Sequence, residues 1–305
     1  MALAVASTSN AQSDNTSTVV VTKPTGVATG DLLIIGAVTL GSTITCPGFS
    51  TSASYYFDAT GTVSDCCVSL IYRIADASDV SAVNYTVTNP DGANGVIVAM
   101  MRVTGWTTGN PAYDNATFAS QSPSNPFTVS TTGLNILRPS ASNLLIMIHG
   151  TGNNNGTKPT TTWSGHTVTD VSSGSETGFT EVLESTILGS ANVNRYAFCF
   201  AYKTSTSTVT IASFTATGTF ASAPGIYASA ASILIVINEP ISASASGTIV
   251  DIAPVTFQAA TGANSSASIG TQIALSPLLT ANQARVENPI WTNEGNATTT
   301  WTNQT

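Results

Sequence analysis

Ionised side chains are scarce in this sequence. Lys and Arg number 8 and Asp and Glu 16 in 305 residues, so only 8% of the chain is charged, against about 25% in an ordinary soluble domain. With a formal net charge of -8 and no basic run, nucleic acid is not an expected partner, because phosphate binding needs clustered Lys and Arg. Long apolar runs are missing too. The stretches at 32–40 and 230–237 fall well short of the roughly 20 residues a spanning helix needs, so they read as buried strands and no membrane partner is expected. No positive residue precedes Lys23 and no secretory signal is visible. The expected route out of the cell is therefore lysis, inside a particle.

Groups that do chemistry are equally sparse. Only two histidines are present, His149 and His166. His149 ends an apolar strand and His166 falls in what reads as a Gly/Ser loop; both are expected to be structural. No H-E-x-x-H or similar metal spacing occurs. Ser164-Gly165-His166 has no G-x-S-x-G context or acidic partner in sequence. Glu176, Glu181 and Glu184 form the one local acidic cluster, read as a solvated face rather than a paired-carboxylate hydrolase. Asp76 and Asp79 read as a polar turn, with calcium the sharper alternative. The cysteines are Cys46, Cys66, Cys67 and Cys199, with no C-x-x-C pair. Adjacent Cys66 and Cys67 point to opposite faces of a strand, so they cannot share one metal. All four are expected as small buried side chains, with a Cys46–Cys66 or Cys46–Cys67 disulfide left open. The expectation is no enzyme: no catalytic residue, no cofactor and no metal.

What is abundant is strand. Hydrophobic residues make up 42% of the chain, enough for a sizeable core. Ser, Thr, Asn and Ala replace the usual charged surface. Thr18–Thr22 is β-branched throughout, Val68, Leu70, Tyr72 and Ile74 alternate with neighbours, and Asn89-Pro90-Asp91-Gly92 is a turn signal before 96–103. No helical periodicity is convincing. Four blocks recur in order. Gly30-Asp31-Leu32-Leu33-Ile34-Ile35 aligns with Ser142-Asn143-Leu144-Leu145-Ile146-Met147, and Ile71-Tyr72-Arg73 with Ala201-Tyr202-Lys203. Tyr85-Thr86-Val87-Thr88 aligns with Phe214-Thr215-Ala216-Thr217, and 96–103 with 230–237. The fold class predicted is all-β: duplicated β-sandwich or jelly-roll units at 1–108 and 109–240, then a linker and a small β-hairpin module at 241–305. The two units are either separate sandwiches or halves of one.

Two further details bear on packing. Tyr196, Phe198, Phe200 and Tyr202 give one strand a bulky face, while Ala197, Cys199 and Ala201 give it a small one. In the last module Trp291-Thr292-Asn293 recurs as Trp301-Thr302-Asn303. A turn near Asn296 pairs the two tryptophans across a hairpin, which is marginal alone in water. Trp291 and Trp301 are therefore the candidate assembly interface.

The run Pro24-Thr25-Gly26-Val27-Ala28-Thr29-Gly30-Asp31-Leu32-Leu33, followed by a strand ending Tyr72-Arg73-Ile74-Ala75, resembles a β-sandwich domain of tailed-bacteriophage structural proteins. The closing Trp-Thr-Asn repeats resemble the ends of some phage virion and tail proteins. The resemblance implies a place on the virion as head decoration, fibre, neck or tail, and brings no functional residues. The expected function is a virion structural protein that assembles with itself and with other virion proteins; a homo-oligomer with closed symmetry is the default. The alternative is a module binding host-surface glycans, with Trp106, Tyr113 and Trp163 stacking on sugars. A third class is a surface depolymerase, disfavoured by the shortage of paired carboxylates and histidines.

Overall fold

A strand buried on one face alternates apolar and polar residues, whereas one buried on both faces reads as a continuous apolar run. The runs LLIIGAVT and NLLIMIHG therefore demand a layer on each side. In the computed structural model of the chain they have one. The structure describes residues 2–238, apart from 15, 40, 58–65, 91, 93–94, 107–111, 122–125, 139–140, 154–160, 173, 189–194 and 221–227. All of these belong to one compact unit, Met1–Ser244. The predicted module at 241–305, with Trp291 and Trp301, lies outside the described residues.

The strands of the first half are β1 (Ala4–Ser13), β2 (Thr18–Thr22), β3 (Leu32–Thr39), β4 (Ser50–Phe57), β5 (Cys66–Ile74), β6 (Asn84–Thr88) and β7 (Val96–Thr104). The second half holds β8 (Ala112–Gln121), β9 (Phe127–Thr131), β10 (Asn143–Asn153), β11 (Thr161–Asp170), β12 (Ser175–Glu176), β13 (Thr180–Leu188), β14 (Arg195–Ser205), β15 (Ile211–Phe220) and β16 (Ala228–Asn238). One helical turn, α1 (Ala77–Ser81), departs from the expectation of no helix. Two five-stranded antiparallel sheets form the middle, in the orders β1-β7-β3-β5-β4 and β8-β16-β10-β14-β13. Outside the first lies the ribbon β2-β6, and outside the second the four-stranded sheet β12-β11-β15-β9.

The layers follow from side-chain alternation. Leu32, Ile34, Val38, Val68, Leu70 and Met101 of the first sheet meet Leu144, Ile146, Phe198, Phe200, Ile233 and Ile235 of the second in one central core. The opposite face of the first sheet, with Leu33, Ile35 and Met100, packs on Val19, Val21, Tyr85 and Val87 of the ribbon. The opposite face of the second, with Leu145, Met147, Leu234 and Val236, packs on Val168 and Phe214 of the outer sheet. The bulky face of β14 thus fills the central core. Its small face lies under a fourth layer: Cys199 and Ala201 pack against Phe127, Val129 and Trp163. Of the two arrangements left open, the two predicted units are halves sharing this central core rather than separate sandwiches.

Each aligned block occupies the same station in its half. β3 pairs with β5 and β7, and β10 with β14 and β16. β6 pairs with β2, and β15 with β9. The difference is β11–β12, which has no counterpart between β3 and β4 and widens the outer layer from two strands to four. These two strands place new side chains over the second sheet.

Candidate functional site

Across the face of the second sheet that is turned to the outer layer runs a row of polar side chains. Ser232 of β16 is the register partner of His149 on β10, His149 that of Cys199 on β14, and Cys199 that of Glu184 on β13. Register partners on one face stand about 4.5–5.5 Å apart at Cβ, so the row is contiguous.

Two bulges complete the cluster. In a regular strand, residues three apart point to opposite faces. The register of β13 slips between Glu181 and Leu183, so Glu181 joins Glu184 on the outer-layer side. The register of β11 slips between Ser164 and Thr167, with Gly165 at φ +65°, a left-handed conformation that glycine adopts without strain. Trp163 and His166 are therefore both buried. His166 lies in a strand, not in the expected loop, and Ser164 is exposed on the other side, so Ser164 and His166 form no catalytic pair.

Both histidines of the chain meet here. Their ring centroids are 5.0 Å apart, and Trp163 stacks on His149 at 4.6 Å. His149 Nδ1 is 2.8 Å from Ser232 Oγ. His166 Nε2 is 3.7 Å from Cys199 Sγ, and its Nδ1 is 3.8 Å from Glu181 Oε1. The Trp163 amide donates to Glu184 Oε1. His149 Nε2 and Trp163 Nε1 are buried without a hydrogen-bond partner.

The electrostatics follow from burial. Burial, and then the neighbouring His166, hold His149 well below the usual histidine range, and burial pushes His166 down to about 4. Both rings are neutral near pH 7. Burial raises Glu181. It also raises Glu184, against the lowering effect of the Trp163 amide and with help from Glu181. Burial first, then the charges of Glu181 and Glu184, push the Cys199 thiol well up. A cysteine nucleophile acts as thiolate, so this Cys–His–Glu alignment is not an activated nucleophile. It is a set of neutral imidazole, thiol and carboxylate donors. A groove lined by Thr161, Thr162, Glu184, Ser185 and Thr186 opens beside it.

The remaining sequence candidates fall elsewhere. Asp76 is the N-cap of α1, and Asp79 reaches back to its amide in a capping box. Asp79 also pairs with Arg73 at 2.8 Å and accepts from the Tyr85 hydroxyl, so both carboxylates are committed to protein partners. Glu176 is drawn off to Arg138. All four cysteines are buried. Trp106 and Trp163, 9% and 3% exposed, are core residues and offer no open face to a sugar; the side chain of Tyr113 lies outside the described residues. Neither the cross-strand row nor the two bulges has a motif in the sequence. The signal that was available is that strand β14 places Cys199 among alanines on its small face. No protein-family model, curated protein or solved structure matches this chain.

Proposed function

We propose that this chain is a structural subunit of an assembled particle, a virion, acting by packing against copies of itself and against other particle proteins. The observation that carries the proposal is the edge strand β1. It is ten residues long, AVASTSNAQS, without an ionisable side chain. Among the described residues it ladders only with β7, at the end of the first five-stranded sheet.

Monomeric β proteins guard such edges with lysines, inward charges, prolines or very short strands. Here a single bulge between Val5 and Ser7 interrupts the ladder. The exposed positions Thr8, Asn10 and Gln12 carry hydroxyl and amide groups, which dehydrate at far lower cost than ionised ones. A strand added by a neighbouring subunit gains main-chain hydrogen bonds along the edge. The scarcity of charge in the chain agrees with the depletion of charge in interface cores. The assignment to a phage particle, as head decoration, neck, tail or fibre, rests on the sequence resemblance alone.

Light scattering on size-exclusion fractions and electron microscopy of the purified chain test the proposal, together with proteomics of purified particles. A defined oligomer is expected. The double substitution Thr8→Lys and Asn10→Lys should dissociate it, while changing folding stability by no more than about 0.5 kcal/mol, as for exposed sites. A wild-type chain that stays monomeric and absent from particles overturns the proposal, and so does a double variant that assembles equally well.

A further inference from the structure

We propose that the side-chain cluster between β11, β13 and β14 binds a divalent transition-metal ion of the zinc type, held by His166, Cys199 and Glu181. The donor set is the first argument. An imidazole nitrogen, a thiol sulfur and a carboxylate oxygen converge from three strands, all within 4.8 Å of one another. Zinc bonds nitrogen at about 2.1 Å and sulfur at about 2.3 Å in tetrahedral sites, which places two such ligands roughly 3.6 Å apart. His166 Nε2 and Cys199 Sγ are 3.7 Å apart. Glu181 is 38% exposed, so its carboxylate can swing onto the ion without disturbing the core. Imidazole and thiolate suit zinc and its neighbours, whereas calcium and magnesium take oxygen ligands.

His149 supplies a second and independent argument. Its side chain is fully buried, Nδ1 is engaged by Ser232, and Nε2 has no partner. An unsatisfied buried polar group is destabilising, which marks this cluster as short of a partner. Metal-binding histidines have the second ring nitrogen held by a hydrogen bond, and His149 Nδ1 has such a contact with Ser232. As the register partner of Cys199, His149 stands beside the thiol on the same face. The local charge agrees. Two carboxylates flank the site, and among the described residues no lysine or arginine is paired with Glu181 or Glu184. The partly exposed Glu181 carboxylate places the cluster within reach of solvent. The ion would join inserted strand β11 to the central sheet.

The test uses the full chain, stripped with a chelator under reducing conditions and titrated with Co²⁺ and then Zn²⁺. One equivalent of Co²⁺ should give a thiolate-to-cobalt charge-transfer band with tetrahedral d–d absorption, displaced by Zn²⁺. Cys199→Ser should abolish the band. Glu181→Gln, at a partly exposed position, should keep the fold and lower affinity at least about tenfold. Cys46→Ser, in the other outer-layer core, should leave the band intact. Absence of saturable binding by the wild-type chain overturns the proposal, as does a band of equal strength in Cys199→Ser or Glu181→Gln. Should circular dichroism show Cys199→Ser unfolded, Glu181→Gln alone decides.

Discussion

Arg138 is completely buried, and its guanidinium is enclosed by carboxylates of Asp170 and Glu176, by Ser205 and Ser207, and by the Val209 carbonyl. It ties the segment before β10 to β11, β12 and the loop before β15. Removing one partner of such a network strands the others, at a cost of about 3–5 kcal/mol. Arg138→Met should show that loss in urea unfolding. Asp76 offers a charge prediction at the same scale. The Ser78 hydroxyl and amide, and then the Arg73 guanidinium, hold its carboxyl well below the usual carboxylate range. A depressed folded pKa means its contribution is complete above the ordinary value near pH 4 and is lost only as acid passes the lower folded value. Carbon-13 titration should find the Asp76 carboxyl still ionised at about pH 3, below that ordinary value. Ser78→Ala should move it back up.

At the scale of elements, the two middle sheets approach so closely that glycine is required. A Cβ on Gly150 of β10 would lie 2.6 Å from Val68 Cγ1 and 2.7 Å from Val38 Cγ2. Gly150→Ala should therefore overpack the central core and cost about 1–3 kcal/mol, read as a lowered denaturation midpoint with an unchanged slope. Most strands of the middle sheets were legible from apolar runs and alternation. The edge strand β1 was not, because an edge has little apolar area to bury and its residues look like loop. β11 was missed for a different reason: its bulge at Gly165 breaks the period of two, so Trp163 and His166 appear out of phase.

For the whole molecule, the decisive feature is that both halves share one core. A fragment of residues 1–108 would expose Leu32, Ile34, Val68, Leu70 and Met101, which pack on the second half. Leaving side chains of this kind exposed forfeits roughly 1.5–3 kcal/mol each. The fragment should be insoluble or unfolded when expressed alone. In the chain carrying Trp291→Phe and Trp301→Phe, fluorescence of Trp106 and Trp163 should report one unfolding transition, coincident with the main transition in far-ultraviolet circular dichroism. Two separated transitions would contradict the shared core.

Composition and alternation alone determined that this is an all-β chain with buried cysteines, because those features depend on local period and on the burial of apolar area. Only the tertiary structure decided that the halves face each other and that a fourth layer covers Cys199. It also brought His149, His166, Glu181 and Glu184 into one cluster. The physical reason is that register across strands, and the bulges that shift it, are set by contacts between residues far apart in sequence, which no local pattern encodes.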